Sequence, residues 1–339
     1  MTEKTRQART CRQSVVIESP QLLREVCGPA HVHLQALERA FADDALRAES
    51  QGGEIIITGQ NNSCRHAADA IGAFMQRIEA GAEANADELA SAIRLTLADG
   101  PAGATADVIA GLRKPVMAQT PGQRSYLATL RRDELGLVFG VGPAGTGKTF
   151  LAVAVGAAEL KAGKRERLIV ARPAVEAGEN LGFLPGDMEE KVDPYMLPIW
   201  DALNECLGAQ EVERRKERRE IEVAPLAFMR GRTLKNAFVI IDEAQNATVQ
   251  QMKMVLTRLG RGSRMIVTGD PSQTDLLERT GSGLAHAIGI LKDVKGVALE
   301  QLTAKDVVRH ELVARIVEAY DRDALGRLGP LPGSGRRKS

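Results

Sequence analysis

Apolar positions along the chain follow one rhythm before residue 112 and another after it. In the first part, SVVIE (14–18) and GGEIIITG (52–59) are short runs that predict strands. QLLREVCG and VHLQALERAF predict two helices flanking GPAH (28–31), and a further helix is expected from Ser63 to Glu79. Ala- and Glu-rich sequence continues helical to Ala98, and DGPAGATADVIAG (99–111) is linker-like. From Leu135 onward, apolar runs alternate with helical stretches. The predicted strands are LGLVFGV (135–141), RLIVA (167–171), AFVIID (237–242), RMIVTG (264–269) and GVALEQL (296–302).

Strands that alternate with helices predict a mainly parallel α/β sheet. The expected organisation is a polar tail over 1–13, a small α+β domain over 14–98, a linker over 99–111, a larger α/β domain over 112–325 and a flexible basic tail over 326–339. Met252, Val255 and Leu259 fall on one face of VQQMKMVLTRLG, a stripe that reads as core packing. EVERRKERREIE (211–222) holds five acids and five bases, with pairs such as Glu211 and Arg215 at i,i+4 spacing, and reads as a solvated helix in preference to a nucleic-acid-binding element.

Composition narrows the picture in three places. No run approaches the length of an apolar membrane span, and MTEKTRQARTCRQS lacks the apolar centre of a secretory signal, so a soluble, cytoplasmic chain is expected. Cys11, Cys27, Cys64 and Cys206 are scattered without a CxxC pair, which fits reduced thiols with neither a zinc site nor a disulfide framework. A net charge of +1 gives no global pull towards nucleic acid, and an aromatic fraction of 3% argues against a platform of rings stacking bases. RNA contacts would then run through local arginines. Arg230 and Arg232 in APLAFMRGRT are the candidates, with packing beside the sheet as the competing role.

The strongest chemical signal is GPAGTGKT, comprising Gly142, Pro143, Ala144, Gly145, Thr146, Gly147, Lys148 and Thr149. It fits G-x-x-x-x-G-K-[ST] between a predicted strand and a predicted helix, where glycines let backbone N–H groups wrap a phosphate chain. The helix N-terminus adds positive potential, Lys148 reaches the β- and γ-phosphates, and the Thr149 hydroxyl ligates Mg2+. A second apolar strand runs into Asp242 and Glu243, with Gln245 just beyond. A triphosphate at one strand end needs a metal, and the metal needs a carboxylate from a neighbouring strand. Asp242 suits that role, and Glu243 is the candidate general base for an attacking water. MIVTGDPSQ (265–273) would bring Thr268, Asp270 and Gln273 beside the γ-phosphate.

The combination of GPAGTGKT, ARPAVEAGENLGFLPGDMEEKVDPY, IEVAPLAFMRGRT, FVIIDEAQNAT, VTGDPSQ and DVVRHELVARIVEAY resembles the PhoH-like proteins over roughly residues 115 to 322. These are P-loop ATPases related to the first RecA-type domain of superfamily 1 helicases. The resemblance implies a RecA-like fold, ATP and Mg2+ as ligands, Gln273 as a γ-phosphate sensor and Gln123 as an adenine reader, although a polar helix-surface role for Gln123 stays open. It also implies a KH-like fold for the N-terminal domain. There, GPAH places His31 where an RNA-clamping loop has its second glycine, so gripping through that loop and an inert role are both open; His31 and His33 are too isolated for a metal.

Two function classes follow: an ATPase that binds, remodels or unwinds RNA, and a nucleotide-dependent switch that regulates a partner such as a YbeY-type endoribonuclease. A P-loop kinase is disfavoured by the pairing with DEAQ and GD-x-x-Q. About 200 residues follow Arg113, room for one RecA-type sheet, so a ring-like homo-oligomer, a hexamer, is expected to complete the site. Arg309 would act in trans on the phosphoryl group, with Arg172 the second candidate; a local salt bridge between Arg309 and Asp306 is the alternative.

Overall fold

The structure, a computed structural model, describes residues 10–60, 62–99, 107–173, 188–273, 282–308 and Ile316. Its N-terminal part runs Thr10–Val16 (β1), Pro20–Cys27 (α1), Val32–Ala40 (α2), Arg47–Gln51 (β2), Glu54–Gln60 (β3), Ser63–Glu79 (α3) and Ala86–Asp99 (α4). The three strands pair antiparallel in the order β1-β3-β2. Ile55 and Ile57 alternate inward along β3 and meet Leu34, Leu37, Ile71, Phe74 and Leu89 from the helices.

Strand β2 is absent from the sequence expectation. Its residues RAESQ bury only Ala48, so no apolar rhythm marks them. Pairing with β3 makes the strand, helped by Glu38, whose carboxylate accepts from Ala48 N–H at 3.0 Å and from Arg47 at 3.2 Å. The cysteine expectation also needs correction. Cys11 and Cys64 form a disulfide across a separation of 53 residues, because Cys11 lies opposite Gly59 and α3 turns back over β1 just beyond β3. Cys27 and Cys206 are free and buried.

The second part opens with a two-stranded ladder of Val108–Ile109 (β4) and Val116–Met117 (β5). Residues 107–111 are therefore not a plain linker: Ile109 belongs to the main core. There follow Pro121–Leu130 (α5), Leu137–Val141 (β6), Lys148–Lys161 (α6), Arg167–Arg172 (β7), Met188–Leu207 (α7), Ala209–Glu217 (α8), Ile221–Pro225 (β8), Ala237–Ile241 (β9), Val249–Leu256 (α9), Arg264–Gly269 (β10), Gly283–Leu291 (α10) and Val297–Gln301 (β11). Among the described residues, six of these strands form one parallel sheet in the order β11-β6-β10-β9-β7-β8.

Every residue of β6, β9 and β10 is buried, as a parallel sheet covered on both faces requires. The period of two sorts them. Val138, Ile240 and Ile266 face α5, α6 and α7, whereas Phe139, Ile241 and Val267 face α9 and α10, including the expected stripe of Met252 and Val255. Edge strand β8 corrects the reading of 211–222 as one helix. The helix stops at Glu217, Arg219 turns into left-handed backbone (φ 58°), and the chain joins β7. Among the described residues, no helix is long and apolar enough to cross a membrane.

Arg264 opens β10 and is only 1% exposed. It donates to Leu130 O at 2.7 Å, pairs with Glu159 at 3.2 Å and lies 5.5 Å from the Phe238 ring centre. Breaking a buried pair leaves an uncompensated charge. Glu159→Ala should therefore cost about 3–5 kcal/mol of stability. A chemical denaturation midpoint within experimental error of the wild-type chain would contradict this.

Candidate functional site

Three strand ends converge at the carboxyl edge of the sheet. After β6 the chain makes the glycine-rich turn 142–147 and enters α6 at Lys148, with Gly147 as cap in left-handed backbone (φ 80°). Gly142 has no room for a side chain: a Cβ there would meet Leu302 O at 2.3 Å. This closeness arises because β11 runs beside β6 and Leu302 N–H donates to Val141 O at 2.8 Å.

Thr149 Oγ1 donates to Asp242 Oδ1 at 2.6 Å, and Thr268 Oγ1 donates to the same oxygen at 2.8 Å. The strand carrying Asp242 is not the immediate neighbour of the turn's own strand, as the sequence suggested; β10 lies between β6 and β9. Thr268 fills that intervening position, so the contact between Thr149 and Asp242 spans two strand spacings.

Lys148 is buried and its ammonium donates to Gly142 O at 2.6 Å and Pro143 O at 2.7 Å. Burial pushes its pKa below the ordinary lysine value, while the carboxylates of Asp270, Glu243 and Asp242 pull it back up. Glu243 adopts left-handed backbone (φ 51°), a conformation that costs a non-glycine residue about 1 kcal/mol or more. Its carboxylate accepts from Gln245 Nε2 at 2.5 Å and pairs with Arg172 at 3.1 Å. Gln245 Oε1 in turn accepts from Asp270 N–H at 3.0 Å. Asp270 Oδ1 takes two bonds from Ser272, but its Oδ2 is buried with no hydrogen-bond partner among the described residues.

Ala144, Gly145, Gly147, Lys148, Thr149 and Phe150 on one side, and Asp242, Glu243, Gln245, Asp270 and Gln273 on the other, line a cavity of about 290 Å³. Hydroxyl and carboxylate oxygens converge on it, the donor set that a hard divalent cation takes. The bare Asp270 oxygen fits that reading, as a buried acceptor left without a donor.

Gln123 is buried rather than on a helix surface. Its Nε2 donates to Thr146 O in the turn at 3.2 Å, and its Oε1 accepts from Gln119 N–H at 2.8 Å. The residues leading to it are held by the N-terminal domain: Arg77 donates to Ala118 O and Arg94 to Gln119 O, both at 3.0 Å. Sequence reasoning missed this junction, and Arg77 and Arg94 carry no local signal of it.

Asp306 accepts from Gly122 N–H at 2.9 Å and Thr303 N–H at 2.8 Å, so its carboxylate works as a clamp between α5 and the segment after β11. Val308 N–H donates to Gly145 O at 3.1 Å. Arg309 itself lies outside the described residues. Arg172 is engaged within its own chain by Glu243 and by Tyr195 O. Arg232 forms a two-pronged pair with Glu222, whereas Arg230 is exposed. His31 sits in left-handed backbone (φ 59°), the geometry that favours glycine, and His33 is packed edge-on against Phe74 at 5.6 Å.

Residues 115–321, more than half of the chain, match the family described as PhoH-like protein. The chain belongs to the PhoH-like protein family. This PhoH-like chain is 45% identical over 311 residues to the "PhoH-like protein" of Bacillus subtilis (strain 168), covering 90% of this chain and 96% of that one. It is 40% identical over 321 residues to the "PhoH-like protein" of Mycobacterium tuberculosis (strain ATCC 25618 / H37Rv), covering 94% and 90%. Among solved structures it is similar to the "Sulfolobus solfataricus SWI2/SNF2 ATPase core in complex with dsDNA", at TM-score 0.35 and 14% identity over 63% of this chain and 54% of that one.

Proposed function

We propose that this PhoH-like chain hydrolyses ATP in the cavity between the turn 142–149 and the acids after β9, and that turnover is coupled to RNA. The observation that carries the hydrolytic reading is the contact of 2.6 Å between Thr149 Oγ1 and Asp242 Oδ1, with Glu243 the next residue in the chain. Thr149 and Asp242 would hold Mg2+, which when bound neutralises phosphate charge. Lys148 binds and orients the phosphate chain, with backbone N–H groups of the turn around it. Glu243, held by Gln245 and Arg172, accepts the proton of the attacking water. Gln273 and Asp270 lie on the wall where the terminal phosphate would sit.

The RNA half of the proposal is supported by the family resemblance and by exposed Arg230 beside the sheet. A ring-like homo-oligomer, a hexamer, would let a neighbouring subunit supply an arginine to the phosphoryl group. Arg309 is the candidate that is still open, since Arg172 is engaged by Glu243 within the chain.

The experiment is a steady-state ATPase assay with Mg2+, with and without single-stranded RNA. RNA should raise the rate, and the rise should fall steeply with salt because phosphate contacts release counterions. Turnover indifferent to RNA at every salt concentration would favour the switch reading, in which hydrolysis only times a partner's engagement.

A further inference from the structure

A second cavity, of about 490 Å³, opens beside edge strand β8 at the other end of the sheet from the candidate hydrolysis site. Arg167 at the start of β7 and Ile221–Val223 at the start of β8 form its floor; Trp200 of α7 and Lys216 of α8 form a wall. Trp200 is the chain's only tryptophan, and the Lys216 ammonium lies 5.3 Å from its ring centre. Arg219 and Arg232 complete the rim.

The charge is one-sided. Arg232 is neutralised by Glu222, and Arg167 donates to Lys235 O. Lys216 and Arg219 are exposed and have no acidic partner among the described residues. Arg219 adds a second observation. It follows the C-terminus of α8 at φ 58°, its N–H donating to Lys216 O at 2.9 Å. Glycine is favoured where a helix ends in left-handed backbone, and an arginine is strained there. Backbone strain of this kind is kept where a side chain has a task.

We propose that this cavity binds one nucleotide unit of single-stranded RNA, with the phosphate on Lys216 and Arg219 and the base against Trp200 and the apolar floor at Val223. The proposal rests on the RNA half of the proposed function and adds to it a place. A cation beside an aromatic face is the combination with which sequence-tolerant single-strand binders hold base and backbone together. A single ring at a basic cleft serves one base, which is compatible with the expectation, drawn from the scarcity of aromatic residues, that there is no platform of rings stacking several. ATP at the carboxyl edge of the sheet would not compete for it.

Because Trp200 is the only tryptophan, its fluorescence in the full-length protein reports on this cavity alone. Titration with a short oligoadenylate should quench or shift Trp200 emission, and the same titration followed by anisotropy of labelled oligoadenylate should give the same midpoint. Lys216→Gln and Arg219→Gly should each lower the slope of log affinity against log salt by about 1. Arg219→Gly should also keep or raise the thermal midpoint, since it relieves strain, so weakened binding cannot be ascribed to unfolding. Three results would overturn the proposal. Anisotropy showing RNA bound with Trp200 silent and both variants unaffected would put the RNA elsewhere and leave the proposed function standing. AMP quenching Trp200 as strongly as oligoadenylate at equal concentration would make this a site for free nucleotides. No binding by either readout would remove the RNA half of the proposed function itself.

Discussion

Glu243→Gln is expected to leave ATP bound while slowing hydrolysis by about two orders of magnitude or more, the size of effect for loss of a general base. The amide is nearly isosteric with the carboxylate, so the left-handed turn at 243 and the bond from Gln245 have a similar acceptor to hold. What is lost is the negative oxygen that takes the proton, and with it the pairing with Arg172 at 3.1 Å. The measurement is a single-turnover assay beside a binding titration with a fluorescent ATP analogue. Wild-type turnover in the variant would remove Glu243 from the chemistry and shift attention to Asp270, whose Oδ2 is buried and unpartnered among the described residues. A loss of binding equal to the loss of rate would instead give Glu243 a role in holding the nucleotide.

Lys148→Ala should abolish measurable turnover and weaken nucleotide binding by about 2–5 kcal/mol, as when one member of a buried charge pair is truncated. Lys148 is the cation among three acids, and all three raise its pKa against the effect of burial. Without it, Arg172, paired with Glu243 at 3.1 Å, would be the remaining side-chain cation beside these acids among the described residues. The fold should survive, because among the described residues Lys148 bonds within its own turn, to Gly142 O, Pro143 O and Thr146 Oγ1. Calorimetric titration with ATP and a thermal melt of the same sample separate the two effects. An unchanged affinity would overturn the assignment of the turn 142–149 as the phosphate site.

The sequence by itself determined those elements whose cause is local. A continuous apolar run is a covered parallel strand, which is how β6, β7, β9 and β10 are legible. The glycine-rich turn between β6 and α6 is legible because only glycines accept its left-handed positions, and the acids after β9 because few apolar strands end in a pair of carboxylates. Where the cause is a partner distant in sequence, only the tertiary structure decided. Strands β2 and β8 are strands because a neighbour offers hydrogen bonds, with RAESQ and IEVAP carrying little rhythm of their own. The Cys11–Cys64 disulfide follows from the path of α3 over β1, which a spacing of 53 residues does not reveal. Strand order inserted β10 between the turn and Asp242, and so gave Thr268 its contact with that carboxylate. The bonds from Arg77 and Arg94 to the segment before Gln123 join two parts of the chain whose sequences read as separate. The physical reason is common to all of these: periodicity records which face of an element is buried, while pairing, order and ion partners depend on what lies across the gap.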